Sequence, residues 1–258
     1  MAQTVVTLYA TPVFVGRLTK QRASDVLAAG PLLENQSIRF GTALVVDPTA
    51  NGAVKLPSAG TQKLLGVCYD AATLQMALAN GAAFAAFGQG DAVTYLKRGS
   101  MGVTPEQTVT TEDAVYVRFT AGAGELKPGR FRKDDGSTNG EYVLTFAGSP
   151  TAASVDVGDN TVAADISTPE AFAGLLAAQP GVVSAVADGT ITVVTLPGFA
   201  LSNASVTGSG ASVALTNPTP AVTPIAFLAP NARWITAGTA NPDMLGSIDA
   251  CEIEINTP

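Results

Sequence analysis

Short runs in which apolar and polar residues alternate, each closed by Gly, Asn, Asp or Pro, cover most of the chain. A repeat of two is the period of a half-buried β-strand, whose successive side chains point to opposite faces. The pattern predicts strands at Ser37–Val46, Lys63–Tyr69, Ala82–Phe87, Ala92–Leu96, Gly99–Val103, Asp113–Phe119, Gly129–Lys133 and Glu141–Phe146. Asn51-Gly52, Asp135-Gly136 and Asn139-Gly140 supply the turn chemistry between them. Thr4–Val15 reads as an extended arm, because Pro12 removes a ladder donor. Arg17–Asn35 reads as irregular, with Gly30-Pro31 as a breaker. Asp70–Asn80 has the cap and the i, i+4 leucines of one short helix. Ile225–Leu228 and Ile248–Ile255 read as closing strands. In Cys251-Glu252-Ile253-Glu254-Ile255 three apolar residues face one side and two carboxylates the other, and this strand is predicted to pair with residues before 150.

The composition changes at Ala147–Pro150, and from Thr151 to about Thr216 nearly all Lys and Arg disappear. There Thr168 reads as a helix cap and Pro169 as the first helical residue, with Phe172, Leu175 and Leu176 on one face. Val182–Ala187 and Thr190–Leu196 flank Asp188-Gly189, a strong hairpin signal. Asn217-Pro218-Thr219-Pro220 reads as a linker. The fold class that follows is mainly β. A compact β-sandwich or barrel-like domain (1–148 and 221–258) carries a small inserted α/β domain (149–220).

Composition narrows the chemistry. There is no histidine among the 258 residues, so Ser-His-Asp and Cys-His arrangements and His-based zinc sites are excluded. Ser-x-x-Lys, Walker A and GxGxxG motifs are also missing. Asp134-Asp135 and the pair Asp156 and Asp159 are candidate Ca²⁺ ligands, against the plainer reading that they cap turns. A two-carboxylate glycosidase stays open in principle, but nothing selects a pair. The net charge of −7 opposes binding to phosphate backbones. No run has the ~18 apolar residues of a membrane span, and no secretion signal is legible. Cys68 and Cys251 lie in apolar runs and read as buried free thiols of a protein made in a reducing cytoplasm. These readings imply no catalytic residue, cofactor or metal. The residues that stand out as partner contacts are Arg98, Arg130, Arg132 and Lys133 at strand ends or turns, with Arg233 beside Trp234, the only tryptophan. Trp234 reads either as an interface anchor or as a core residue.

The order Leu65-Gly66-Val67, Gly90-Asp91-x-Val93, Arg98-Gly99-x-x-x-Val103, Asp113-x-Val115-Tyr116-Val117, Gly129-Arg130-Phe131 and Arg233-Trp234 resembles the capsid cement, or head decoration, proteins of tailed bacteriophages. The resemblance covers roughly residues 60–146 and, more weakly, the ends. It implies that the Gly90–Val103 run is a strand, a turn and a strand. It also implies a non-enzymatic virion protein on the outer surface of the expanded capsid. Its partners would be the major capsid protein and itself, as a homotrimer, with neither nucleic acid nor membrane. The inserted segment is then a candidate for host-surface contact. Two other readings stand beside this one: another virion component, such as a tail tube or tail-decoration protein, and a carbohydrate-binding β-sandwich. Scarce aromatics (6% Phe, Trp and Tyr) weigh against the last.

Overall fold

The computed structural model describes residues 18, 25–33, 38–69, 86–122, 127–165, 169–239 and 251–257. The Thr4–Val15 arm, the Asp70–Asn80 helix and the Thr168 cap lie outside the described residues. The protein is mainly β, with seventeen strands and one helix described. It divides into two compact units, one of Met1–Asp135 with Ile225–Pro258, the other of Gly136–Pro224.

The first unit is built on a seven-stranded antiparallel sheet. Its members are β1 (Val26–Pro31), β3 (Ala43–Val46), β4 (Val54–Lys55), β5 (Gly66–Cys68), β7 (Ala92–Val103), β16 (Ala232–Trp234) and β17 (Cys251–Asn256). Alternation sends its side chains into two separate cores. Ala43, Val45, Val67, Leu96, Met101, Val103, Ile253 and Ile255 enter one core. Leu44, Val54, Cys68, Val93 and Tyr95 enter the other. The first core is closed by Val117, Phe131 and Phe227 of a three-stranded sheet: β8 (Tyr116–Arg118), β9 (Phe131–Arg132) and β15 (Ala226–Leu228). The second is closed by Ile38 and Phe87 of a two-stranded sheet: β2 (Ile38–Arg39) and β6 (Ala86–Phe87). Both cysteines are buried free thiols, and burial pushes the Cys251 thiol up to about 12.

The structure corrects three strand assignments here. Ser37–Val46 is not one strand, because a turn at Phe40-Gly41 separates β2 from β3. Arg17–Asn35 is not irregular throughout. Val26–Pro31 pairs along β7 from Arg98 to Ala92, and Pro31 is tolerated as the last residue of an edge strand. Ala92–Leu96 and Gly99–Val103 are not two strands around a turn but the single strand β7. Its register against β1 passes from Val26↔Arg98 to Leu27↔Leu96, so Lys97 is one extra residue. This is a β-bulge, and it switches the phase of the alternation. Leu96 before it and Met101 and Val103 after it therefore reach the same core despite their odd spacing. Gly99 completes the bulge with φ +134°, and a Cβ there would stand 2.7 Å from the Asp25 carboxylate. β17 pairs β7 from Cys251↔Val103 to Asn256↔Arg98, as the sequence predicted for a strand joining residues before 150.

The second unit centres on two long strands, β10 (Gly140–Val157) and β14 (Leu201–Thr219). β11 (Asn160–Asp165), β12 (Val182–Asp188) and β13 (Thr190–Thr195) complete a five-stranded antiparallel sheet. α1 (Pro169–Ala177) buries Phe172, Ala173 and Leu176 in the core against this sheet. β10 runs straight through Ala147–Pro150, where the composition changes. That change marks a bulge, not a strand end: the register against β14 shifts between Ala147 and Ser149. Gly148 sits there at φ +76°, with Gly210 O only 2.3 Å from where a Cβ would be. Pro218 does not break the chain into a linker either. β14 continues to Thr219, which pairs with Glu141 past a further register shift that accommodates the proline.

The two residues of the first unit that flank the second in sequence are hydrogen-bonded to each other. Ile225 N donates to Asp135 O at 2.8 Å. A two-residue link between them would be closed by the same carbonyl-to-amide bond, as in a four-residue β-turn. Replacing Gly136–Pro224 by Asn-Gly should therefore leave the first unit folded. The check is cooperative urea unfolding with the buried emission of Trp234; a red-shifted, non-cooperative variant would show that the first unit needs the second.

Candidate functional site

The six partner-contact candidates fall into two groups. Arg130, Arg132 and Trp234 are buried, at 4%, 7% and 2% exposure, and their side chains belong to the interior. Trp234 lies edge-on to Phe131 with ring centroids 6.3 Å apart, and its Nε1 donates to Ala114 O at 3.3 Å. Arg98, Lys133 and Arg233 are exposed.

Arg132 belongs to an ion network whose centre the sequence did not reveal. Glu106 is 3% exposed at its side chain and receives both Nε and Nη2 of Arg118, at 2.6 and 2.9 Å. Arg132 approaches the same carboxylate at 3.6 Å and donates to Asp134 at 2.6 Å. Gln107 Nε2 donates to Asp134 at 2.7 Å, while its Oε1 accepts from Lys133 N at 3.1 Å. One carboxylate between two arginines ties the segment after β7 to β8 and β9. A buried charge needs such partners, since desolvation otherwise costs several kcal/mol. In sequence Glu106 is only the middle of a Pro-Glu-Gln turn, and neither period nor motif marks it.

Of the carboxylates named as ligand candidates, Asp134 and Asp156 are held by side-chain hydrogen bonds. Asp134 is held in this network. Asp156 accepts from Thr161 Oγ1 at 2.6 Å and from Asn203 Nδ2 at 2.7 Å, across the β10–β11 and β10–β14 pairs. These two bonds hold its carboxyl below the usual value. Among the described residues no group of three or more His, Cys, Asp or Glu is placed to hold a metal.

The exposed pair Arg98 and Arg233 converges on one open groove of about 760 Å³ in the first unit. Asp25, Gly99, Asn231 and Glu254 contribute to its walls. Arg98 stands at the β7 bulge, opposite Val26 on one side and Asn256 on the other. Arg233 pairs across β16 and β17 with Glu254, Nε to Oε2 at 2.6 Å. Lys133 lies elsewhere, after β9.

Charge is distributed unevenly along the chain. All 14 Lys and Arg lie outside Gly136–Pro224, while that unit carries Glu141, Asp156, Asp159, Asp165, Glu170 and Asp188. The −7 of the whole chain is thus mostly the charge of the second unit. The profile of the phage structural cement proteins, described by E217 gp24 and Pam3 gp6, matches residues 1–249. The chain belongs to this family. Among curated proteins none matches the sequence. As a cement protein it is a phage structural component, so the buried Glu106 network is read as bracing for the unit and the groove as surface.

Two outcomes follow. Glu106→Gln leaves the buried Arg118 without its counter-charge and Arg132 with Asp134 alone, and should cost about 3 kcal/mol, measured by urea unfolding with Trp234 emission. Asp156 titrates below its ordinary 3.8 when folded, so its contribution is fully present above that value and is lost as pH falls through the lowered one. Asp156→Asn should therefore flatten the acid limb of stability below pH 3.8 and leave the curve's shape at neutral pH unchanged.

Proposed function

We propose that this cement protein decorates the outer face of the expanded phage head and holds neighbouring major capsid subunits together, without covalent chemistry. The family match over residues 1–249 carries the reading. The absence of histidine supports a role in adhesion over one in catalysis. The unit of Met1–Asp135 and Ile225–Pro258 is assigned the holding role, because it contains every Lys and Arg of the chain. Gly136–Pro224 carries six carboxylates and no Lys or Arg, and no capsid contact is assigned to it. Its charge disfavours contact with nucleic acid.

Self-association as a homotrimer fits this role. Three linked contacts act at high effective concentration, so each contact can be weak. A protein that binds only the expanded lattice stabilises that state by mass action. The contribution is about 2.7 kcal/mol per site when free protein stands 100-fold above its Kd.

The experiment uses expanded and unexpanded heads lacking the protein. Purified protein should sediment with expanded heads only and raise their disruption temperature. Retention on neither form, or immunogold label on tails instead of heads, would overturn the reading.

A further inference from the structure

Arg98 and Gly99, at the bulge of β7, line the groove. One extra residue, Lys97, changes which way the following side chains point, and bulges commonly re-aim a side chain toward a binding partner. Without it, Arg98 would share a face with the core residue Leu96. With it, Arg98 is exposed at the groove wall. Gly99 is required to carry the chain through, since φ +134° and the Asp25 carboxylate leave no place for a side chain.

The charges of the groove are unequally satisfied. Arg233 and Glu254 hold each other at 2.6 Å. Asp25 is packed against Gly99 and is itself engaged. Arg98 makes no ion pair or side-chain hydrogen bond among the described residues, and so keeps five guanidinium donors for a ligand. Val26, directly opposite Arg98 in register on the edge strand β1, is 42% exposed and offers an apolar neighbour to the guanidinium. β16, on the other wall, is the terminal strand of its sheet. A volume of about 760 Å³ takes a few residues of extended chain.

We propose that this groove seats an extended, carboxylate-bearing segment of a capsid subunit, with Arg98 receiving the carboxylate and Val26, its cross-strand partner, meeting an aliphatic neighbour. The proposal rests on the capsid reading above and names the contact through which it would act. Arginine suits it because its planar fork takes a carboxylate through two parallel hydrogen bonds, which lysine does not.

The test measures binding of wild type, Arg98→Gln, Arg98→Lys and Lys133→Ala to expanded heads lacking the protein, with Trp234 emission and urea unfolding confirming that each variant is folded. Arg98→Gln should bind about 30-fold or more weakly, the range for removing one member of a buried charge pair. Arg98→Lys should recover only part of this, and Lys133→Ala should match wild type. The salt dependence of binding should be shallower for Arg98→Gln than for wild type. Undiminished binding by folded Arg98→Gln, or an equal loss in Lys133→Ala, overturns the groove assignment and leaves the capsid reading standing. Failure of wild type to bind overturns the capsid reading and the groove with it. Should Arg98→Gln misfold, Val26→Ser is the second variant, expected to weaken binding without changing its salt dependence; wild-type binding by it would count against the groove.

Discussion

A strand that feeds one core along its whole length must keep its side chains in step with that core. Every element of the first unit depends on how β7 meets this demand. β1, β5 and β17 all pair with it, and it supplies both faces of the sheet. Its twelve residues stay in step only because Lys97 is inserted and Gly99 turns the chain. The β10–β14 ribbon meets the same demand between Pro150 and Ala152, where the register against β14 leaves Thr151 as the extra residue of β10. There the buried positions pass from Tyr142 and Leu144 to Ala153, Val155 and Val157. Bulges are thus the devices that let long strands serve curved sheets.

Polar groups reinforce this framework in two modes. In the interior, Glu106 gathers Arg118 and Arg132, which fixes the three-stranded sheet relative to the chain that leaves β7. The Thr257 hydroxyl lies 2.8 and 2.9 Å from the carbonyls of Lys97 and Leu65, tying the chain end to β7 and to the entry of β5. On the surface, the cations that remain are few, so each has local weight. Segregating all of them into one unit leaves the other with negative side-chain charge only.

The sequence made the β class legible, because alternation and turn residues are local signals. It likewise disclosed α1 and the β12–β13 hairpin, where Phe172, Leu176 and Asp188-Gly189 carry the period and the turn. The phase of the alternation was not legible. A glycine that turns a bulge and a glycine that ends a strand look alike in sequence, which is why Arg98-Gly99 reads as a turn and Ala147–Pro150 as a boundary. The ion network was hidden for another reason. Glu106, Arg118 and Arg132 meet only through strand pairing, so no spacing announces them. Arg98 and Arg233 were visible as exposed candidates, but their meeting in one groove depends on β17 lying beside β7.

The bond between Ile225 N and Asp135 O has a consequence for how such a chain diversifies. Two points of the backbone held this close are a graft point: sequence added between them lengthens the polypeptide while β9 and β15 keep their places on either side of β8. The payload and the scaffold that carries it can then change independently, one insert replacing another while the same β framework is retained.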